Sequence, residues 1–149
     1  MRLTSPAFAD GEPIPDRYGY DFENVNPPLA VEEVPADATS LALVVDDPDA
    51  RESAGKVWDH WVVWNVDPAT GDIEAGETPD GAVVGQNSYG AAAYGGPKPP
   101  DREHTYRFRL YALDTELALD RGSTKAELQA AMADHVVAET ELTGTFAPR

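Results

Sequence analysis

Leu41-Ala42-Leu43-Val44-Val45, stopped by Asp46-Asp47-Pro48-Asp49, is the stretch that decides the fold. Five apolar residues in succession carry no amphipathic period, so they predict a strand buried on both faces. The run ends where proline removes a backbone donor and the aspartates favour a turn. Working outward, His60-Trp61-Val62-Val63-Trp64-Asn65-Val66 repeats the pattern and closes at Asp67-Pro68. From Thr105 to Leu113, Tyr106, Phe108, Leu110 and Ala112 alternate with Arg107, Arg109 and Tyr111. One face of that third strand should be core and the other wetter. Thirteen prolines and twelve glycines punctuate these short apolar runs, which implies a strand-rich domain with long loops.

Only one helix is expected. Thr124 with Glu127 three residues later forms a capping box, and Leu128, Met132 and Val136 give an i, i+4, i+8 apolar stripe. Gly144 lies beyond it, before a short final strand around Thr145-Phe146. Between Val84 and His104 the chain carries Gly85, Gly90, Gly95, Gly96, Pro97, Pro99 and Pro100 and no period of either kind. A structureless stretch of that length inside a compact domain is often functional. No repeat, low-complexity tract or linker interrupts the chain, so residues 1–149 read as one domain.

Composition narrows the function classes. There are 27 Asp and Glu against 11 Lys and Arg, a formal −16, with the acids spread from Asp10 to Glu141. No basic stripe exists to displace the counterions of a nucleic acid, so that class is excluded. Self-repulsion on this scale works against compactness at low ionic strength, and at 1 M salt the Debye length falls to about 3 Å. The balance therefore points to a halophilic protein of a high-salt cytoplasm. No stretch approaches the roughly 18 apolar residues of a membrane span, and Met1-Arg2-Leu3-Thr4-Ser5-Pro6 is unlike a signal peptide. With no cysteine, disulfides and thiolate chemistry are absent.

Three residues able to carry chemistry stand where strands meet loops: Asp47 at one exit, and His60 and His104 at two entries. His104 shares parity with Tyr106 and Phe108 and should point their way. A histidine beside a carboxylate keeps its proton and makes a good anion donor. Amides of the Gly-Gly-Pro loop can add further donors. His135 reads as a packing or helix-terminal residue, and Trp58, Trp61 and Trp64 as core and pocket wall, since no basic groove accompanies them.

Four motifs follow one another in a recognisable order: Leu43-Val44-Val45-Asp46-Asp47-Pro48-Asp49-Ala50, His60 to Val66, Tyr94-Gly95-Gly96-Pro97-Lys98-Pro99-Pro100, and His104-Thr105-Tyr106 running on to Leu113. With Ser5-Pro6-Ala7-Phe8, Asn26-Pro27-Pro28-Leu29 and Leu142 to Phe146, the chain resembles the phosphatidylethanolamine-binding proteins, in particular their bacterial and archaeal Raf-kinase-inhibitor-like branch. The resemblance implies a mainly β fold, a large antiparallel sheet packed on a smaller one with one C-terminal helix and long loops. It also implies an anion pocket formed by Asp47, His60, His104 and Tyr106, with backbone donors around Gly95, Gly96 and Pro100 and with Asp49 in support. The tight turn beside that pocket predicts a cis bond at Pro99-Pro100.

Three positions depart from the family pattern. Arg51 stands where proline is common, Lys98 where cysteine is frequent, and Thr105 between the paired His and Tyr where arginine is usual. The function implied is a small soluble protein that binds phosphate-bearing or other anionic ligands: a phospho-metabolite, a lipid headgroup or a phosphorylated group. Some family members regulate a kinase or protease, which leaves a protein partner and a homodimer open. No cofactor or metal is expected. An enzyme using Asp47, His60 and His104 as acid, base or metal ligands is the first alternative, with no activated nucleophile to support it, since Ser88 lies outside a Gly-x-Ser-x-Gly elbow. A protein-interaction module with a relic pocket is the second.

Overall fold

The computed structural model describes residues 1–149. In chain order its elements are β1 (Arg2–Thr4), β2 (Glu12–Pro13), β3 (Leu29–Glu32), β4 (Ser40–Asp47), α1 (Ala50–Ala54), β5 (Trp58–Val66), β6 (Asp72–Ile73), β7 (Val83–Val84), β8 (His104–Leu113), α2 (Lys125–Met132) and β9 (Val136–Phe146). Six strands form one sheet in the order β2-β9-β8-β4-β5-β7, antiparallel except where β2 runs parallel to β9. A second sheet, β1-β3-β6, is antiparallel throughout.

The continuous apolar runs are explained by what covers each face of the large sheet. Leu41, Leu43, Val45, Trp61, Val63, Phe108 and Leu110 pack against Leu3, Leu29, Val31 and Ile73 of the small sheet. On the opposite face Ala42, Val44, Val62, Trp64 and Leu113 pack against Leu128 and Met132 of α2 and against Leu117. Both faces of β4 and β5 are therefore dry, and neither strand can alternate apolar with polar. Burying a Leu- or Val-sized side chain contributes about 1.5–3 kcal/mol, and this two-sided burial is the main support of the sheet. No helix is long and apolar enough to cross a membrane.

The capping box forms as expected: Thr124 Oγ1 accepts from Glu127 N, and Glu127 Oε1 accepts from Thr124 N. The helix it starts is shorter than the apolar stripe suggested. α2 stops at Met132, the chain turns at Asp134-His135, and Val136 opens β9 rather than a third helical turn. The expected short final strand is thus an eleven-residue one. Its run of Val136, Val137, Thr140, Thr143 and Thr145 is rich in β-branched residues, and it pairs with β8 from Leu113↔Val136 to His104↔Phe146. Long-range pairing overrides one coincidental i+8 match. The cis bond expected at Pro99-Pro100 is also absent, since every peptide bond is trans. Cross-loop bonds shape that segment instead: Gly96 N donates to Asn24 Oδ1, Tyr20 N to Pro97 O, and the Tyr89 hydroxyl to Gly96 O.

Candidate functional site

Antiparallel pairing brings the end of β4 beside the starts of β5 and β8, with Asp47 opposite Trp58 and Asp46 opposite Arg107. Three segments distant in sequence therefore meet at one rim of the large sheet. Alternation along β4 sends Asp47 to the face of Val45 and Leu43, and alternation along β8 sends His104 and Tyr106 to that same face. His60 does not follow this rule. Simple alternation would align it with Val62 and Trp64, under α2. The β4–β5 register slips between Val45↔Trp61 and Asp46↔Asp59, leaving His60 as the extra residue of a β-bulge. The bulge re-aims its ring toward Tyr106, with ring centroids 5.2 Å apart.

Asp47, Trp58, His60, Tyr89, Lys98, Pro99, Pro100, His104 and Tyr106, with Ala50, Ser53 and Ala54 of α1, line one cavity of about 160 Å³. Arg51 leaves the turn after Asp49 free to coil into that short helix and is itself exposed. Lys98 reaches the cavity rim while pairing with Asp21 at 3.3 Å. Gly95 and Gly96 are not on the wall. Their N–H groups, expected to face an anion, donate instead to His60 O and to Asn24 Oδ1. Asp49 is off the cavity wall: its N donates to Asp47 Oδ1, and its Oδ2 accepts from Thr105 N.

The two histidines are in opposite states. His60 Nδ1 lies 2.6 Å from Gly95 O, so that nitrogen carries the hydrogen and Nε2 keeps a lone pair. Burial pulls the His60 pKa down, against the Gly95 carbonyl and the Asp47 charge that favour the cation. His60 is a neutral ring. His104 Nδ1 lies 2.6 Å from Asp47 Oδ2, and its Nε2 lies 2.8 Å from Asp101 Oδ1. Burial also works against the His104 cation, but the bonds and charges of Asp47 and Asp101 outweigh it and raise the pKa. His104 is an imidazolium with both protons committed to carboxylates. Tyr106 is buried, and its hydroxyl makes no hydrogen bond of good geometry although the Asp47 carboxylate lies near it. Burial, and then the nearby Asp47 charge, push its pKa up, so the phenol stays a neutral donor.

Sequence reasoning missed Tyr89, Asp101 and Asn87. Asn87 Oδ1 accepts from Tyr89 N and Ala91 N while its Nδ2 donates to Ala93 O, and this makes the long loop a defined wall. An Asx turn was legible in Asn87-Ser88-Tyr89-Gly90. Asp101 lies three residues before His104 and gave no signal, because the bond depends on the loop's path. No group of three or more His, Asp or Glu side chains is arranged to hold a metal ion. His135 lies just past α2, with Nδ1 2.7 Å from Asp114 Oδ1. Trp61 and Trp64 are core.

Comparison with known proteins places this geometry among relatives. Residues 4–147 match the family model described as phosphatidylethanolamine-binding protein. A UPF0098 protein of Methanothermobacter thermautotrophicus is 47% identical, over 98% of each chain. A crystal structure of a phosphatidylethanolamine-binding protein homolog from Chlamydia trachomatis superposes with a TM-score of 0.91 at 41% identity, covering 97% of this chain and 95% of that one. The E. coli YbcL structure, titled a new member of the mammalian PEBP family, gives 0.91 at 29% identity, covering 99% and 98%.

Proposed function

The chain belongs to the phosphatidylethanolamine-binding protein family, and from that premise we propose that its cavity binds the phosphate group of a small ligand or headgroup without transforming it. The observation that carries the reading is the unpartnered, buried Tyr106 hydroxyl on the cavity wall. A buried polar group without a partner costs about 1–3 kcal/mol, and a ligand oxygen would relieve that cost. The His104 imidazolium adds a positive charge beside it, and Lys98, paired with Asp21, is a cation at the rim. A space of about 160 Å³ is headgroup-sized, well below the roughly 300–1,000 Å³ of typical drug-sized pockets.

The remaining cavity groups select for protonation state. Asp47 and the free Nε2 of His60 are acceptors, and a fully deprotonated anion would repel them. A phosphate monoester, with a second pKa of about 6, presents both a P–OH donor for these acceptors and oxygens for Tyr106. A sulfate ester offers no such proton. Binding rather than turnover is favoured because His104 has no free nitrogen and no hydrogen bond joins Ser53, the one aliphatic hydroxyl on the wall, to a histidine. Calorimetric titration with phenyl phosphate and phenyl sulfate tests the reading. Phosphate should bind at least about tenfold more tightly, ~1.4 kcal/mol. No binding of phenyl phosphate at millimolar concentration, or equal binding of both esters, would overturn it.

A further inference from the structure

The bond from His104 to Asp101 is left over once the cavity is explained. Asp101 is exposed and does not line the cavity, yet its carboxylate takes the Nε2 proton of a ring that is itself completely buried. The other nitrogen is taken by Asp47, also buried. No other side chain hydrogen-bonds to this ring. Tyr106, on the same strand, is tilted against it at 6.4 Å between centroids. Asp49 is spent on Thr105 N, and Arg102 sits between Asp49 at 3.6 Å and Glu52 at 3.3 Å. Phe146 of β9, opposite His104, is apolar. Only the two aspartates oppose the desolvation of the ring.

We propose that Asp101 is a positioning residue of this pocket: with Asp47 it clamps the His104 imidazole from both nitrogens, and the clamp is what keeps a positive charge beside the cavity. With one carboxylate the ring is satisfied as a neutral tautomer, Nδ1–H to Asp47, and Nε2 needs no proton. With two, one on each nitrogen, both ring nitrogens must donate, and the imidazolium is the form that fits. The charge of a buried wall residue is therefore set from a loop at the surface, tethered by Arg102 to Asp49 and to Glu52 of α1. The consequence for ligands rests on the phosphate reading above, whereas the clamp stands on the two hydrogen bonds alone.

Nitrogen-15 NMR titration of the His104 ring, in wild type and in Asp101→Ala, Asp101→Asn and Asp101→Glu, decides the matter. The shifts report protonation and tautomer, which a merely structural contact would not change. Asp101→Ala and Asp101→Asn should lower the pH at which His104 loses its proton by about one unit or more. Asp101→Glu should restore it in part, and formate added to Asp101→Ala should do the same by filling the vacated place. An unchanged His104 titration in the alanine variant overturns the proposal. Phenyl phosphate affinity is read in the same samples. Wild-type protein that fails to bind it sinks the phosphate reading and leaves the ring titration to judge the clamp.

Discussion

Asp46 and Asp47 are neighbours on one strand and face opposite sides of one sheet. Asp46 is fully buried and accepts from Arg107 Nε at 2.8 Å and Nη2 at 3.0 Å, from Arg109 Nη2 at 3.0 Å and from Lys125 Nζ at 3.2 Å. Burial would raise its pKa, but the Arg107 hydrogen bonds and the charges of Lys125 and Arg109 outweigh that and hold it down. Three cations close the sheet against the start of α2, and one of their donors, Arg109 Nε, is left buried without a partner. Asp47 is as deeply buried, yet it faces a cavity, has one imidazolium partner, and sits near a tyrosine hydroxyl with none. Equal burial of charge thus serves two ends, and what separates them is where the unpaired group lies: Arg109 Nε inside a cluster of opposite charges, the Tyr106 hydroxyl on a cavity wall. A crowded cluster of opposite charges stabilises, while an unpaired group on a cavity wall is open to a partner from outside the chain.

The contrast breaks most visibly on the closed side. Asp46→Ala leaves two arginines and a lysine without their shared partner, and removing one member of a buried ion cluster costs about 3–5 kcal/mol. The partial exposure of the cations, which can turn toward water, puts the expected loss near ~3 kcal/mol. That is a large part of the roughly 5–15 kcal/mol that holds a domain together. Urea unfolding measures it. Where the variant is folded, phenyl phosphate affinity should stay within about threefold of wild type. A large loss of affinity with intact stability would mean that the two faces are not separate in function.

The open side should respond with the opposite sign. Tyr106→Phe removes a hydroxyl that makes no hydrogen bond of good geometry in the protein, so stability should be unchanged or rise by up to ~1 kcal/mol. Affinity for phenyl phosphate should fall about tenfold, ~1.4 kcal/mol, from the one hydrogen bond lost. Paired unfolding and titration measurements on the same variant check both. A variant that loses stability without losing affinity would assign the hydroxyl a structural partner and remove the main support for the binding reading.

How far these two sides could be read in advance depended on parity. The apolar runs of β4 and β5, the alternation of β8 and the capping box of α2 were legible because each reflects a local period. Parity also separates Asp46 from Asp47, and the Arg107/Arg109 side of β8 as the wetter one was the visible half of the Asp46 cluster. The bulge at His60 was not legible, because a slip of one residue is set by pairing across strands rather than by anything along them. The fates of the Gly95 and Gly96 amides, and the Asp101 bond, depend likewise on where a long loop lands. Of the positions the family motifs named, Asp47, His60, Pro100, His104 and Tyr106 line the cavity and Gly95 and Gly96 do not, and the motifs gave no sign of which hydrogen-bonding groups remain free there.

The histidines extend the comparison to pH. The folded pKa of His60 is depressed below its unfolded value of about 6.5. The folded state therefore resists a proton the unfolded chain accepts, and stability falls as pH drops below about 6.5. His104 is raised, so its contribution is complete below about 6.5 and is lost as pH rises through the folded value. Unfolding free energies from pH 5 to 9 should show a dome near neutrality. His60→Gln should flatten its acid side and His104→Gln its alkaline side. Both variants flattening the same side would contradict the opposite protonation states.

The smallest effect concerns the charge surrounding both sides. All of the 27 acids except Asp46, Asp47, Asp49 and Asp59 are exposed. Their field would repel a phosphate from outside, while on the proposed reading the Asp47–His104 pair and Tyr106 act on it from within. Exposed charges farther apart than the Debye length lose most of their influence, and that length shrinks from about 10 Å at 0.1 M salt to about 3 Å at 1 M. A buried pair is screened far less. Rising KCl therefore removes the repulsion faster than the attraction, although chloride competes for the site. Stability and phenyl phosphate affinity should both increase from 0.1 M toward molar KCl, the affinity by roughly threefold. His60→Ala and His104→Ala, titrated at the same two salt concentrations, report the background. Affinity that declines steadily while the fold stays intact would mean that local attraction dominates and that the acidic surface plays no part in tuning the pocket.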